Sequence, residues 1–269
     1  MTEVAGRRIA TAEGAVLVAP TAAGRELGTA TANPTIFDPG YWRTHGRLVE
    51  ASRGRGSAWF VGDDHSDWVL RHYRRGGLAS RVVADRYLWL GERRVRSFAE
   101  WRLLAALLAA GQPVAPPIAA RYRRRGCWYD CDLITQRIAE ARPFGERAAE
   151  GPPAVPLWRS VGEAVARLHA AGADHADLNA HNLLIDGRER VHFIDFDRGR
   201  LRPAARWRAD RPDGWRRRNL ERLRRSLRKI GVAVAGGAAP GEAEFDRLWN
   251  ALLAGYDSAA RDARGPTVR

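Results

Sequence analysis

The first half of the chain is a series of short apolar runs broken by polar turns. Beyond residue 46, the runs GRLVEA, AWFVGD and WVLRHY are separated by the glycine-rich SRGRGS and by the polar DHSD. Short apolar segments with tight connections are typical of an antiparallel meander. PVAPPIAARY and WYDCDLITQRI then predict two further strands around an RRRG turn. The hydrophobic pattern therefore predicts five strands, preceded by an irregular segment over residues 1–45.

Helical spacing of apolar residues marks a second kind of element. RSFAEWRLLAALLAAG predicts a helix, with Ser97 as the expected N-cap and Gly111 as the C-terminal stop. PLWRSVGEAVARLHAAG predicts an amphipathic helix, and two more helices are expected near WRRRNLERLRRSLRKIG and EAEFDRLWNALLAGY. The second half of the chain is therefore expected to be mainly helical.

The order of these elements predicts an α+β fold of two unequal lobes. Composition shifts to glycine, proline and charge around residues 139–156, which is typical of a hinge. We expect an N-terminal extension over 1–45 that packs on the N-lobe. The N-lobe over 46–140 would hold the antiparallel sheet and one main helix, and the C-lobe over 141–269 would be mainly helical.

Two polar segments at the ends of apolar runs carry the candidate chemistry. HADLNAHNLLID contains Asp177 and, five positions later, Asn182; VHFID ends at Asp195. NLLID and VHFID read as short strands joined by GRER, so a hairpin would fold Asp195 back towards Asn182. One amide oxygen and one carboxylate suit a magnesium ion, which keeps waters and phosphate oxygens as its other ligands. Asp177 is then available to accept a proton from an attacking hydroxyl.

These segments resemble the catalytic loop and metal-binding segment of protein-kinase-like phosphotransferases, whose pattern is H-x-D-x-x-x-x-N followed by D-F-G. VLRHYRRGG, RSFAEWRLL, HADLNAHNLLIDG and IDFDRGRLR are more closely similar to the 3-deoxy-D-manno-octulosonic acid (Kdo) kinases of lipopolysaccharide assembly, over about residues 33–232. The resemblance implies a protein-kinase-like fold, with ATP and Mg²⁺ as cofactors.

Four upstream residues are expected to bind the nucleotide. Gly54 and Gly56 in SRGRGS would let backbone amides approach phosphates. Most kinases carry a lysine on the following strand, and the resemblance places Arg71 there; a guanidinium keeps the charge but differs in shape. Glu100 lies on the apolar face of its predicted helix and needs a cationic partner, for which Arg71 is the natural candidate. A structural ion pair of Glu100 with another arginine remains the alternative.

Two departures from the protein-kinase pattern argue against a kinase regulated by phosphorylation of its own loop. Ala176 stands where many protein kinases have an arginine, and Asp197 replaces the glycine of D-F-G. Neither change affects Asp177, Asn182 or Asp195. We therefore favour a constitutive kinase of a small molecule or glycolipid.

Composition adds charge to this interpretation without choosing a partner. The 269 residues are 45% hydrophobic and carry a formal charge of +14, and Lys229 is the single lysine among 45 basic residues. This charge attracts polyanions in general, but no nucleic-acid motif accompanies it, so we expect no specific nucleic-acid partner. The basic helix near WRRRNLERLRRSLRK is compatible with an anionic membrane or with a plain solvated face. Cys127 and Cys131 are expected to be structural thiols.

The resemblance predicts an ATP-dependent kinase that phosphorylates the 4-hydroxyl of Kdo on a lipid A precursor, Kdo-lipid IVA. Asp177 would be the catalytic residue, with Asn182 and Asp195 as metal ligands. No signal-peptide core or membrane-spanning run is evident, so we expect a cytoplasmic protein, peripheral on the cytoplasmic face of the inner membrane. The alternatives are a kinase of another small molecule, sugar or protein, and a non-catalytic pseudokinase or polyanion-binding module. The sequence leaves the oligomeric state open.

Overall fold

The computed structural model describes residues 6–20, 34–50, 57–62, 67–74, 86–149, 155–203, 214–234 and 242–263. Two compact units divide the chain. Unit 1 comprises residues 1–106 and 115–137, and unit 2 comprises 107–114 and 138–269. The three-part division predicted from composition remains a prediction.

Unit 1 is built on an antiparallel sheet of eight strands. These are β1 (Arg7–Thr11), β2 (Gly14–Val18), β3 (Arg47–Glu50), β4 (Ser57–Gly62), β5 (Asp67–His72), β6 (Tyr87–Leu88), β7 (Pro117–Arg125) and β8 (Trp128–Gln136). The strand order is β1-β2-β7-β8-β5-β4-β3, and β6 pairs with β8. The five predicted strands correspond to β3, β4, β5, β7 and β8, and β7 runs through the arginines that were expected to form the turn.

The prediction of an irregular N-terminus is wrong for part of the described residues. The β1–β2 hairpin pairs Arg7 with Val18, and β2 extends the sheet alongside β7. The pairing with β7 is non-local, so the sequence of these five-residue strands does not reveal it. A 3₁₀ turn (Pro34–Phe37) and helix α1 (Pro39–His45) follow.

The core on one face of this sheet includes residues from the N-terminal region. Ile36, Phe37 and Trp42 are buried together with apolar side chains of the sheet, among them Trp68 and Leu70. The indole nitrogen of Trp42 donates a hydrogen bond of 2.7 Å to the carbonyl of Ile36, which satisfies its polar atom within the apolar cluster.

Helix α2 (Arg96–Ala109) is the main helix predicted for the first half. Gly111, with φ of +69°, ends it in a Schellman arrangement: the amide of Gln112 bonds to Leu107 and that of Gly111 bonds to Leu108. The expected N-cap role of Ser97 is wrong, because the helix begins one residue earlier. The buried Ser97 hydroxyl instead donates to the carbonyl of Arg121 at 3.0 Å.

Unit 2 is mainly helical. Its helices are α3 (Phe144–Ala149), α4 (Val155–Ala170), α5 (Gly214–Val234) and α6 (Glu242–Asp262). Short strands β9 (Arg142–Pro143), β11 (Leu183–Ile185) and β12 (Val191–Phe193) form one small sheet, and β10 (Ala173–Asp174) pairs with β13 (Arg200–Leu201).

Two glycines allow helices α4 and α6 to pack closely. A Cβ on Gly162 would lie 1.9 Å from the carbonyl oxygen of Leu252, and one on Gly255 would lie 2.2 Å from that of Arg159. Both contacts involve backbone, so neither position accepts a side chain without moving a helix. The α+β class, with an antiparallel sheet and a mainly helical second unit, is confirmed. No described helix is long and apolar enough to cross a membrane.

Candidate active site

A hairpin in unit 2 brings the two predicted metal ligands to neighbouring positions. Strands β11 and β12 pair with Leu183 opposite Phe193, and the amide of Ile194 donates to the carbonyl of Asn182 at 3.1 Å. Asn182 and Asp195 therefore flank the same end of the ladder, at the last backbone bond. The hairpin predicted from NLLID and VHFID is confirmed.

Asp186 fixes the turn of this hairpin. Its Oδ1 accepts the backbone N–H groups of Arg188 and Arg190, each at 2.9 Å, and its Oδ2 contacts Arg190 and His192. Burial opposes ionisation of the carboxyl, but these donors outweigh it and hold the pKa of Asp186 well below its usual range. The turn is therefore held by a carboxylate that stays charged at neutral pH.

The loop before β11 fixes Asp177 through a short network. The Asn182 side-chain amide donates to the Asp177 carbonyl at 2.9 Å, and the Asn179 amide donates to the Asp177 carboxylate at 3.0 Å. Asn179 Oδ1 accepts the backbone N–H groups of His181 and Asn182. The Asp177 side chain is 62% exposed. The carboxylate is thus positioned by its neighbours while remaining accessible to a substrate.

His175 joins this loop to the segment that carries Asp195. Its ring is buried, its Nδ1 accepts the backbone N–H of Asp177 at 3.2 Å, and its Nε2 lies 3.0 Å from the carbonyl of Ile194. Because Nδ1 accepts, the proton is on Nε2, which donates to Ile194. Burial lowers the pKa of His175, which agrees with this neutral form. The ring also packs against Phe196, with centroids 4.5 Å apart.

Asp195 has a backbone conformation that is unusual for a residue with a side chain. Its φ is +61°, in the left-handed region, which costs free energy for any residue other than glycine. Such conformations cluster at functional sites, where the surrounding structure imposes them. Here the hairpin on one side and the buried Phe196 on the other restrain the residue.

The donor set fits a hard divalent cation that brings its own additional ligands. The Asn182 amide nitrogen is used in the bond to Asp177, which directs its oxygen away from that carbonyl. Within the described residues, no group of three or more His, Cys, Asp or Glu side chains is arranged to hold a metal. One amide oxygen and one carboxylate match what Mg²⁺ takes from a protein, since this ion keeps several waters and phosphate oxygens as its other ligands.

Helix α5 supports the candidate catalytic loop, which contains Asp177, along one face. Buried Asn219 accepts the backbone N–H of His175 at 3.1 Å and donates to Asp174 at 3.2 Å. One turn on, Arg222 Nε lies 4.0 Å from Asp177 Oδ1, and Ser226 accepts the N–H of Ala180 at 3.1 Å. Sequence analysis did not place the basic helix against this loop.

Unit 1 contains the predicted ion pair. Arg71 on β5 bonds to Glu100 on α2, and the hydroxyl of Tyr73 also donates to Glu100. Glu100 is 3% exposed and the side chain of Arg71 is 22% exposed. Burial and the neighbouring Glu100 carboxylate raise the pKa of Tyr73 well above its ordinary value, despite Arg71, so the phenol is a neutral donor. The pairing of Arg71 with Glu100 is confirmed, and its role in nucleotide binding stays a prediction.

Other predicted and unpredicted residues complete the description. Gly54 and Gly56 lie outside the described residues. Cys131 is buried, and burial raises its pKa to about 12, as expected of a structural thiol; Cys127 is exposed. Sequence analysis missed the part played by Tyr73. Its position two residues after Arg71, directly beyond the end of β5, was the available signal.

Comparison with known proteins gives a consistent assignment. The model of the "Lipopolysaccharide kinase (Kdo/WaaP) family" matches residues 40–256. A protein named "3-deoxy-D-manno-octulosonic acid kinase" from Xanthomonas axonopodis pv. citri is 47% identical over 74% of this chain and 76% of its own length. Proteins of the same name from Stenotrophomonas maltophilia (47% identical, 72% of this chain and 75% of that protein) and Xanthomonas oryzae pv. oryzae (43%, 85% and 86%) are also similar.

Among solved structures, "WaaP in complex with acyl carrier protein" covers 86% of this chain and 97% of the solved chain, at 19% identity and a TM-score of 0.47. The family model spans more than half of the chain, and it includes the hairpin, Asp177, Arg71 and Glu100. The chain belongs to the lipopolysaccharide kinase (Kdo/WaaP) family.

Proposed function

We propose that this protein is an ATP-dependent 3-deoxy-D-manno-octulosonic acid kinase. It transfers the γ-phosphoryl group to the 4-hydroxyl of Kdo on a lipid A precursor, Kdo-lipid IVA. The observation that carries the proposal is the hairpin geometry: Asn182 and Asp195 flank one backbone bond, and Asp177 is tied to Asn182 by a side-chain bond of 2.9 Å. Family membership and the names of the relatives support the choice of acceptor.

Asp177 is the catalytic residue of this proposal. Its exposed carboxylate accepts the proton of the acceptor hydroxyl as the oxygen attacks phosphorus. Two contacts orient it, from the Asn179 amide at 3.0 Å and from Arg222 at 4.0 Å. Phosphoryl transfer depends mainly on positioning and charge neutralisation, so a fixed and accessible carboxylate suffices for this role.

Asn182 and Asp195 are the proposed ligands of Mg²⁺, which neutralises phosphate charge when it is bound. In unit 1, Arg71 is proposed to bind nucleotide phosphate, since a guanidinium can bond phosphate through two nitrogens. Glu100 and Tyr73 orient Arg71 through the buried contacts described above. Gly54 and Gly56 are proposed to contact the nucleotide through backbone amides.

The acceptor is attached to a lipid, so we propose that the protein works at the cytoplasmic face of the inner membrane. The formal charge of +14 favours contact with an anionic surface. Association of this kind is reversible and peripheral, and it depends on ionic strength.

The decisive experiment incubates purified protein with labelled ATP, Mg²⁺ and Kdo-lipid IVA, beside an Asp177→Ala control. We expect label in the lipid with the wild type and at most trace label with the variant. No label from the wild type would overturn the acceptor, and a panel containing aminoglycosides, free sugars and a protein would then identify the alternative. Equal label from the variant would overturn the role of Asp177.

A further inference from the structure

Several cations of helix α5 lie on two faces with different surroundings. Arg217, Arg224 and Arg228 follow one another at helical spacing and pair with acids: Arg217 with Glu221 on α5, and Arg224 and Arg228 with Asp246 on α6. This face is an ordinary ion-pair network.

The second face is formed by residues that follow those of the first face by about one position in the sequence. It lies beside the catalytic loop. Arg225 and Lys229 lie on it, and both are exposed. Among the described residues, neither forms an ion pair, and the only acidic contact of Arg222 on the same face is the 4.0 Å approach to Asp177. Arg225 and Lys229 therefore keep their positive charge, whereas Arg217, Arg224 and Arg228 lie against carboxylates.

A cavity of about 370 Å³ lies against this face. Its wall from α5 is formed by Arg222, Arg225, Ser226, Lys229 and Ile230. Asn179 and His181 of the catalytic loop form the opposite wall. The volume falls within the range of about 300–1,000 Å³ that small-molecule sites occupy. Because Asn179 bonds directly to the Asp177 carboxylate, the cavity begins next to the catalytic residue.

We propose that this cavity is an anion subsite for the acceptor, in which Arg225 and Lys229 bind an acidic group next to the hydroxyl that is phosphorylated. The inference rests on the proposed function and deepens it. Two uncompensated cations with apolar Ile230 and polar Asn179 around them match a sugar that carries a carboxylate or phosphate. A sugar acid on a phosphorylated lipid offers both groups. The carboxylate and the phosphate are both anionic oxygen groups, and the experiment distinguishes which of the two is bound.

The experiment measures steady-state kinetics with Kdo-lipid IVA and ATP for wild type, Arg225→Ala, Lys229→Ala and the double variant. We expect KM for the acceptor to rise about tenfold per removed cation, as for loss of a charge-assisted hydrogen bond. KM for ATP and kcat stay within about twofold, since neither residue contacts the proposed metal ligands. Arg225→Lys and Lys229→Arg should restore most of the acceptor affinity.

Arg217→Ala is the matched control, because it removes the same charge from the same helix on the paired face. An equal rise in acceptor KM with this control would assign the effect to bulk electrostatics and overturn the subsite. An unchanged KM in the double variant would also overturn it. Calorimetric titration of soluble Kdo into ATP-free protein gives a second measurement, independent of turnover and of membrane contact.

Two further arms distinguish the sources of the anion. If the tenfold difference persists with dephosphorylated acceptor and disappears with carboxyl-esterified acceptor, the carboxylate is bound. If it disappears with dephosphorylated acceptor and persists with carboxyl-esterified acceptor, a lipid phosphate is bound. Loss of the difference in neither arm would overturn recognition of these groups. If the wild type labels no Kdo-lipid, the proposed function is refuted. If the wild type labels the lipid and the variants have the same acceptor KM, only the subsite is refuted.

Discussion

The two sets of site residues are held in place by different kinds of interaction. In unit 2, a backbone hydrogen bond from Ile194 to Asn182 closes the hairpin beside Asp195, and the side-chain amides of Asn179 and Asn182 hold Asp177. The Asp177 side chain is 62% exposed. In unit 1, Arg71 and Glu100 are positioned by their bonds to each other and to Tyr73, and Glu100 is only 3% exposed. The set in unit 2 presents accessible side chains, and the set in unit 1 is a charged pair with a buried carboxylate.

Because of this difference, substitutions in the two units should have different effects on activity and on folding stability. An exposed carboxylate contributes little to folding, so its removal should affect the reaction alone. Removal of a buried carboxylate takes away charged hydrogen bonds made in a low-dielectric environment, so it should also affect folding. The comparison therefore predicts opposite profiles for substitutions that look chemically alike.

The largest effect is expected for Asp177→Asn. The substitution keeps size and removes the proton acceptor, so kcat should fall by about 10²–10⁴-fold. The urea midpoint of unfolding should stay at the wild-type value, because the side chain is exposed. Kinetics with Kdo-lipid IVA and urea titration monitored by circular dichroism check both. A large shift of the urea midpoint would contradict the conclusion that the exposed Asp177 side chain contributes little to folding.

Glu100→Gln should give the opposite profile. Loss of the buried carboxylate removes the charged hydrogen bonds that Arg71 and Tyr73 make to Glu100, and it should lower the free energy of unfolding by about 3 kcal/mol. KM for ATP should rise as well, because Arg71 is no longer oriented.

Glu163→Gln is the matched control, since Glu163 pairs at 3.9 Å with Arg167 on the surface of α4. It should cost less than about 1 kcal/mol. Equal midpoints for the two variants would contradict the assignment of Glu100 to a buried pair.

Acid should destabilise unit 2 through its buried histidines. His169 is fully buried, and burial together with Arg216 lowers its pKa to about 3. The unfolded chain binds the proton below about pH 6.5 and the folded chain does not, so stability is lost as pH falls. At pH 5 the expected loss is on the order of 2 kcal/mol for His169. The lowered pKa of His175 acts in the same direction.

Urea titrations at pH 7 and pH 5 measure this loss, and His169→Gln is the variant that tests its origin. The variant should lose less stability than the wild type between the two pH values. The same acid dependence in both proteins would assign the effect to other groups.

The smallest effect is expected for Asn179, which orients Asp177. Asn179→Ala removes the donor to the Asp177 carboxylate and the acceptor for two backbone N–H groups, so kcat should fall about tenfold and stability by about 1 kcal/mol. Asn179→Asp keeps the acceptor but loses the donor, so it should lower kcat with less loss of stability. If Asn179→Ala left kcat unchanged, Asp177 would be positioned without it.

Local pattern was sufficient for the central elements of both units. Alternation of apolar and polar residues predicted β3, β4 and β5, and helical spacing predicted α2 and α4–α6. The hairpin between Asn182 and Asp195 was predictable because GRER permits only a tight connection between two apolar runs. Glu100 was identifiable as a buried acid by its place on an apolar helical face.

The tertiary structure decided which distant groups meet. The β1–β2 hairpin depends on pairing with β7, about 100 residues away, and Ser97 finds its partner at Arg121 on a strand that local spacing cannot place. The two faces of α5 carry similar cations, and packing against α6 places Asp246 beside Arg224 and Arg228 of one face. The sequence alone determined most of the helices and strands and the hairpin that brings Asn182 and Asp195 to neighbouring positions, because periodicity and turn chemistry are local. Apart from pairs such as Arg71 with Glu100, the partners of the charged groups were decided by the tertiary structure, because burial and pairing depend on contacts between residues that are far apart along the chain.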